Sequence, residues 1–221
     1  MASLHVLRVF CRESGGGGNP LGVFLDGTEV EESRRQAIAT DLGFSETVFV
    51  DDAARGEMRI FTPAEELPFA GHPSVGTAWL LSREREAVEV LRPPAGEVAV
   101  QVESQLTFAR AQAEWCPAID FVQLESPAEV EAAPLAAEGF VYIWAWADEV
   151  AGEVRSRSFV PVEGIPEDEA TGAAAIALCA ALGRPIQISQ GAGSRLIARP
   201  TGEGEAEVGG RVELDRVREY E

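Results

Sequence analysis

Residues 61–76 read F-T-P-A-E-E-L-P-F-A-G-H-P-S-V-G, and residues 159–174 read F-V-P-V-E-G-I-P-E-D-E-A-T-G-A-A. Laid over one another without a gap, Phe61 meets Phe159, Pro63 meets Pro161, Glu65 meets Glu163, Leu67 meets Ile165, Pro68 meets Pro166 and Ala70 meets Asp168. Each phrase ends a strand, turns through acidic residues and enters an Ala- and Leu-rich helix. Chance similarity in an Ala/Gly/Pro-rich chain is the alternative. The retained order of apolar and turn residues favours an internal duplication: two half-molecules, each with a strand, a turn and a buried helix.

The rest of the chain extends the two halves in both directions. Residues 3–11 alternate as a strand containing His5, a satisfied or surface histidine on this reading. Gly15 to Gly18 are followed by Asn19-Pro20 and another strand. A phosphate loop needs a Gly-Lys-Ser/Thr and a helix there, so a mobile loop is expected instead. Thr28 to Leu42 reads as a helix capped by Thr28 and stopped by Gly43. F-S-E-T-V-F-V at 44–50 and Met58 to Thr62 read as strands, and 72–84 as an apolar, enclosed helix. Strands are expected near 87–92, 96–103 and 106–112. Residues 113–138 read as the join between halves. Strands at 139–147 and 154–160, a helix at 169–182 ended by Gly183, and strands at 186–190, 194–199 and 208–214 complete the second half. The tail R-V-R-E-Y-E reads as peripheral. The chain therefore divides into an N-terminal lobe, 1–112, and a C-terminal lobe, 113–221, with the last strand free to return to the first lobe. An apolar helix must be enclosed, and short strands bent around it give two barrel-like α+β lobes facing one another.

Composition narrows the function. The 221 residues carry a net charge of -19, and every basic residue is Arg. That charge repels a phosphate backbone and argues against nucleic-acid partners. No apolar run reaches membrane-spanning length and the N-terminus has no basic region followed by an apolar one, so a soluble, cytoplasmic protein without membrane partners is expected. Cys11, Cys116 and Cys179 are too scattered for a disulfide framework. His5 and His72 have no second His or Cys at ligand spacing, so no metal site is expected.

The two turns carry the chemistry. Gly71-His72 and Asp168 to Gly172 stand at helix starts, where backbone N–H groups are free and the partial charge is positive. Two such ends in one cleft would bind an anionic group such as a carboxylate. Gly172 permits close approach, and Ser74 and Thr171 add hydroxyls. Asp168 is in any case a good N-cap residue. As a histidine, His72 suits an acid, a base or a hydrogen-bond donor. Glu46, between Ser45 and Thr47, is either a solvated strand-end carboxylate or one held at the mouth of the cleft. Two carboxylates and an imidazole suffice for proton transfer at carbon without metal or nucleotide.

G-N-P-L-G-V-F (18–24), F-S-E-T-V-F (44–49), F-T-P-A-E-E-L-P-F-A-G-H-P-S-V-G-T (61–77), E-D-E-A-T-G-A-A (167–174) and Gln190-Gly191 occur in this order. Together they resemble the PhzF family of phenazine-biosynthesis isomerases over nearly the whole chain. The resemblance implies an α+β, diaminopimelate-epimerase-like fold: two pseudo-symmetric barrel-like lobes, each wrapped around a central helix, with the site between them. It implies a homodimer, no cofactor, and Glu46 as the proton-shuttling carboxylate with His72 and Asp168 beside it. Asn19, Ser45, Gly71, Ser74, Thr171, Gly172, Ala173, Gln190 and Gly191 become candidate substrate-binding residues. The chain departs from the family phrase at Glu169, where Pro is usual, and at Ala173, where Ser is usual. Related epimerases carry a cysteine in each half, at positions that the gapless alignment fills with Ala70 and Asp168. These features predict a cofactor-independent isomerase of a small anionic cyclic or unsaturated amino or hydroxy acid. An amino-acid epimerase and a non-catalytic binding or scaffold homologue are the alternatives.

Overall fold

The computed structural model describes residues 2–220. The first half opens with β1 (Ala2–Cys11), whose Leu4, Val6 and Val9 are buried by alternation, and a hairpin into β2 (Gly17–Phe24). The four glycines form no open loop. Gly15 to Gly18 all adopt positive φ, and Gly17 and Gly18 already belong to β2, so the turn is tight. A helix α1 (Glu32–Leu42) follows, then β3 (Glu46–Asp52), β4 (Glu57–Phe61) and β5 (Glu66–Leu67). Thr28 caps nothing: it lies in a short 3₁₀ turn, Gly27–Glu29, and α1 begins after Glu31. Gly43, at φ 63°, ends α1 as expected. The apolar helix α2 (Gly71–Glu84) and strands β6 (Val90–Leu91), β7 (Val98–Glu103) and β8 (Leu106–Gln112) complete the half.

The expected join is the beginning of the second half. It contains a 3₁₀ turn (Ala113–Trp115), then β9 (Asp120–Gln123) and α3 (Pro127–Ala132), capped by Ser126. β9 runs parallel to β10 (Val141–Asp148) just as β2 runs parallel to β3. β11 (Glu153–Val160), β12 (Ile165–Asp168), α4 (Gly172–Leu182), β13 (Ile186–Gln190), β14 (Ser194–Gly202) and β15 (Glu205–Tyr220) then follow. The sequence strand–helix–strand–strand–strand–helix–three strands thus occurs twice, from β2 to β8 and from β9 to β15. α1 covers β3 and β4 from outside, and α3 covers β10 and β11 in the same way. β9 and α3 are short and largely exposed, so their pattern is too weak to stand out in the sequence.

β15 ties the halves together. Its first residues pair with β14 and β8, and Arg211 to Tyr220 pair with β1. The C-terminal tail is therefore paired strand, not a peripheral extension. α2 is enclosed by β1, β2, β3, β7, β8 and β15, and all its residues from Gly71 to Ala78 are buried. It has no polar face because no part of it meets water through those turns. α4 lies on β14, β15 and the Ala113–Trp115 turn, with Ala174, Ala175, Ile176 and Cys179 fully buried. Side chains from both halves share one continuous core. No helix among the described residues is long and apolar enough to cross a membrane.

The two buried helices meet end to end. A Cβ on Gly71 would lie 2.9 Å from the Gly172 carbonyl carbon, and a Cβ on Gly172 would lie 2.6 Å from the His72 nitrogen. The helices start 101 positions apart, not 98, because the second turn is longer between its strand and its helix. Gly71 is therefore the counterpart of Gly172, His72 of Ala173, and Ala70 of Thr171. Asp168 stands before the helix, at the end of β12, so the gapless match of Ala70 with Asp168 does not hold in space.

Gly172→Ala tests this contact. Ala favours a helix interior by about 1 kcal/mol, but here its Cβ strikes backbone that cannot rotate away. Overpacking of this kind costs about 1–3 kcal/mol. A lower unfolding midpoint in denaturant is expected; an unchanged or higher midpoint contradicts the close approach.

Candidate active site

A cavity of about 110 Å³ opens at the point where the helix ends meet. Glu46, His72 and Asp168 line it, together with Gly71, Thr171, Gly172 and Ala173. No arginine lines it; the remaining wall is apolar and includes Phe69, Trp115 and Phe140.

Glu46 is the first residue of β3, and its backbone is held by pairing with β2 at Leu21. His72 is the second residue of α2 and 2% exposed. Its Nδ1 lies 2.7 Å from Glu46 Oε2. A carboxylate only accepts, so Nδ1 carries the hydrogen and donates it. Glu46 lines the cavity, and its Oε1 has no hydrogen-bond partner among the described residues.

Asp168 comes from the other half and is 6% exposed. Its Oδ1 accepts from Asn19 Nδ2 at 2.7 Å and from Ser45 Oγ at 2.9 Å. Its Oδ2 accepts from Thr171 Oγ1 at 2.6 Å. Gln190 Nε2 donates to the same Thr171 oxygen at 2.8 Å, which leaves the threonine hydrogen directed at Asp168. Burial pushes the Asp168 carboxyl up to about 6, helped by the negative charge of Glu46 and opposed by the Thr171 hydroxyl, His72 and Ser45. Asp168 does not cap α4. Thr171 occupies the cap position and makes no side-chain cap bond.

The helix ends present free donors. The first α-helical bonds are Ser74 N–H to Ala70 at 3.3 Å and Ala175 N–H to Thr171 at 3.1 Å. The N–H groups of Gly71, His72, Gly172, Ala173 and Ala174 precede them and find no acceptor among the described residues. Pro73 has no N–H and sits in the first turn of α2, where none is needed. Four of these five residues, Gly71, His72, Gly172 and Ala173, line the cavity, which has no Arg among its described lining residues, an arrangement that suits an anion.

The other sequence candidates fall in two groups. Gly71, Thr171, Gly172 and Ala173 line the cavity. Asn19 and Gln190 are fully buried and turned to Asp168 and Thr171, and Ser45 also donates to Asp168. Ser74 spends its hydroxyl on the Ala70 carbonyl at 2.7 Å and does not line the cavity. Gly191 packs against the Glu169 carboxylate. The Trp115 and Phe140 walls were not read from the sequence. Both come from weakly patterned segments, and only their aromatic character marked them. No cysteine lines the cavity, and burial pushes the Cys11 and Cys179 thiols up to about 11 and Cys116 up to about 12. Among the described residues no cluster of His, Cys, Asp and Glu is arranged to hold a metal.

The raised Asp168 pKa makes a signed prediction. An acid at 3.8 when unfolded and about 6 when folded favours the fold below about pH 4. That contribution is lost as pH rises through 6. At pH 7.5 the ionised carboxylate costs up to about 3 kcal/mol, since one pKa unit is about 1.4 kcal/mol. Asp168→Asn keeps the shape and removes the charge. Its stability relative to the wild type should increase between pH 4.5 and 7.5 in denaturant titrations. A difference independent of pH contradicts the assignment.

Residues 7–140 match the model of the PhzC-PhzF family, described as phenazine biosynthesis-like protein. A trans-2,3-dihydro-3-hydroxyanthranilate isomerase from Pseudomonas aeruginosa is 32% identical, the match covering 85% of this chain and 87% of the relative. Other curated isomerases match over shorter stretches, in one case 34% of the relative. Among solved structures, a phenazine biosynthesis PhzC/PhzF protein from Clostridium difficile superposes with a TM-score of 0.80 at 19% identity, covering 100% of both chains. A hydroxyproline epimerase from Agrobacterium vitis superposes with a TM-score of 0.63 at 12% identity, over 98% of this chain and 91% of the other. The fold is therefore the mixed, sheet-rich architecture shared by PhzF proteins and diaminopimelate-epimerase-like enzymes, and this chain belongs to the phenazine biosynthesis-like PhzC-PhzF family of isomerases.

Proposed function

We propose that the protein is an isomerase that moves a proton between carbons of a small anionic ring acid, with Glu46 as the shuttle. The carrying observation is the setting of Glu46: one oxygen is held by His72 Nδ1 at 2.7 Å, the other has no partner among the described residues, and the residue lines the cavity. The substrate carboxylate sits on the free N–H groups of Gly71, His72, Gly172 and Ala173. Glu46 takes a proton from a ring carbon, the electron pair moves into the adjoining unsaturated system, and the same carboxyl returns the proton further along. His72 keeps Glu46 oriented, and its hydrogen bond stabilises the carboxylate at the start and end of the cycle. Asp168 is a hydrogen-bonding acid on the opposite wall. The apolar wall of Phe69, Trp115 and Phe140 suits a flat ring and excludes water from the transferring proton. The compound in the relative's name, trans-2,3-dihydro-3-hydroxyanthranilate, fits these requirements and is the first substrate to assay. Cofactor-free turnover and a homodimer accompany this reading, checked by activity after exhaustive chelator dialysis and by sedimentation.

An epimerase is the second reading, favoured by two carboxylates from opposite halves on one cavity. Hydrogen transfer separates the two. A single shielded base carries part of the original hydrogen across in heavy water. Two bases on opposite faces bring in a solvent hydrogen at each inversion.

Glu46→Gln preserves shape and the partner of His72 but cannot accept and return a proton. The rate should fall about 100- to 10,000-fold, the usual loss when general acid–base catalysis is removed, with KM changed little. Full activity in this variant removes Glu46 from the mechanism.

A further inference from the structure

Glu169 follows Asp168 but points away from the cavity's reacting groups. Its Oε2 accepts from the Ala192 N–H at 2.8 Å and its Oε1 accepts from the Ser194 hydroxyl at 2.8 Å. Ser194 is fully buried, and its oxygen also accepts from the Gly18 N–H of the first half at 3.2 Å. Because that oxygen is already accepting, its hydrogen is free for Glu169. Gly18 is followed by Asn19, whose Nδ2 donates to Asp168 Oδ1 at 2.7 Å and to the Ala170 carbonyl at 3.1 Å. The contacts close a ring that crosses between the halves twice: Gly18, Ser194, Glu169, Asp168, Asn19 and back to Gly18.

The backbone around the ring is shaped for it. Gly17 packs on the Gly191–Gly193 turn so closely that a Cβ would lie 3.0 Å from the Gly193 oxygen. Gly191 has φ +56°, and a Cβ there would collide with the Glu169 carboxylate. A charged acceptor with two donors is stronger than a neutral one. The ring therefore has a rigid side at Glu169 and Ser194 and a side that touches the cavity at Asn19 and Asp168.

We propose that Glu169 is a positioning residue, which through Ser194 and Gly18 holds Asn19 against Asp168 across the two halves. Glu169 fixes where the second half's acid stands relative to the first half's Glu46 and His72. The consequence for catalysis rests on the reading of Asp168 as a site acid. The experiment below reads the contact itself, so its failure is distinct from a failure of that reading.

The test is hydrogen exchange of the Asn19 side-chain amide, followed by nitrogen-15 NMR in wild type, Glu169→Ala, Glu169→Gln and Ser194→Ala. In wild type both amide hydrogens are buried and bonded, and exchange slowly. Glu169→Ala and Ser194→Ala should each speed that exchange at least about tenfold, as local opening does, while the Leu80 and Ile176 amides stay protected. Glu169→Gln should fall between wild type and Glu169→Ala, because its oxygen keeps the Ala192 N–H while its amide meets the Ser194 oxygen only as a second donor beside Gly18 N–H. Unchanged Asn19 exchange in both Ala variants overturns the proposal. So does a change in Glu169→Ala alone with Ser194→Ala unaffected, since Glu169 then only ties down its own turn. If Glu169→Ala loosens the whole protein, Ser194→Ala, which removes one hydroxyl, decides the matter in the same way.

Discussion

Two helix ends pressed backbone to backbone at Gly71 and Gly172 are the constraint on which the remaining structure depends. Neither position has room for a Cβ. The approach puts the unpaired N–H groups of both helices on one small cavity, and it requires both helices to be buried nearly end to end. Burial all round a helix needs short strands bent about it, and the repeated strand–helix pattern supplies them twice. The crossing of β15 from one half to the other keeps the two helix ends from separating. Nine of its last ten residues pair with β1, Asp215 being skipped at a register shift, while its first six pair with β8.

The same contact would let a protein with net charge -19 hold the anion proposed for the cavity. Surface charge beyond about 8–10 Å is screened at physiological salt, whereas the helix ends lie at the cavity wall. Each end is worth about 0.3–1 kcal/mol to a nearby anion, and more when partly buried. Asp168 carries the opposite expense. Buried beside Glu46 it is costly to ionise, and three donors from both halves offset part of that cost. A carboxyl poised about pH 6 by opposing effects is the kind of group that concentrates at functional sites.

Much of this was legible in the sequence because duplication wrote it twice. The phrases around His72 and Asp168 located the first helix start and the strands before both helices, but placed the second helix three residues early, at 169 where it begins at Gly172. Glu46 followed from the phrase that carries it, and the structure puts it 2.7 Å from His72. What was missed has local causes. The extra residues before Gly172 shift the register, so a gapless alignment paired Ala70 with Asp168 and suggested a cap that Thr171 occupies instead. β9 and α3 are short and exposed, with too little apolar periodicity to be told from a linker. Asn19 and Gln190 were candidate substrate-binding residues in the sequence, and only three-dimensional contacts show that their side chains bond to Asp168 and Thr171 instead of lining the cavity. Glu169 stood out as a departure from the family phrase, and its two donors could not be inferred from neighbours in sequence.

On the proposed reading, the paired helix ends form the carboxylate site. Titrating nitrogen-15-labelled protein with benzoate, and following every backbone amide by NMR, tests it most directly. Gly71, His72, Gly172 and Ala173 should shift together and saturate with one affinity. Saturable shifts centred on the exposed arginines, with those four amides unmoved, would contradict it.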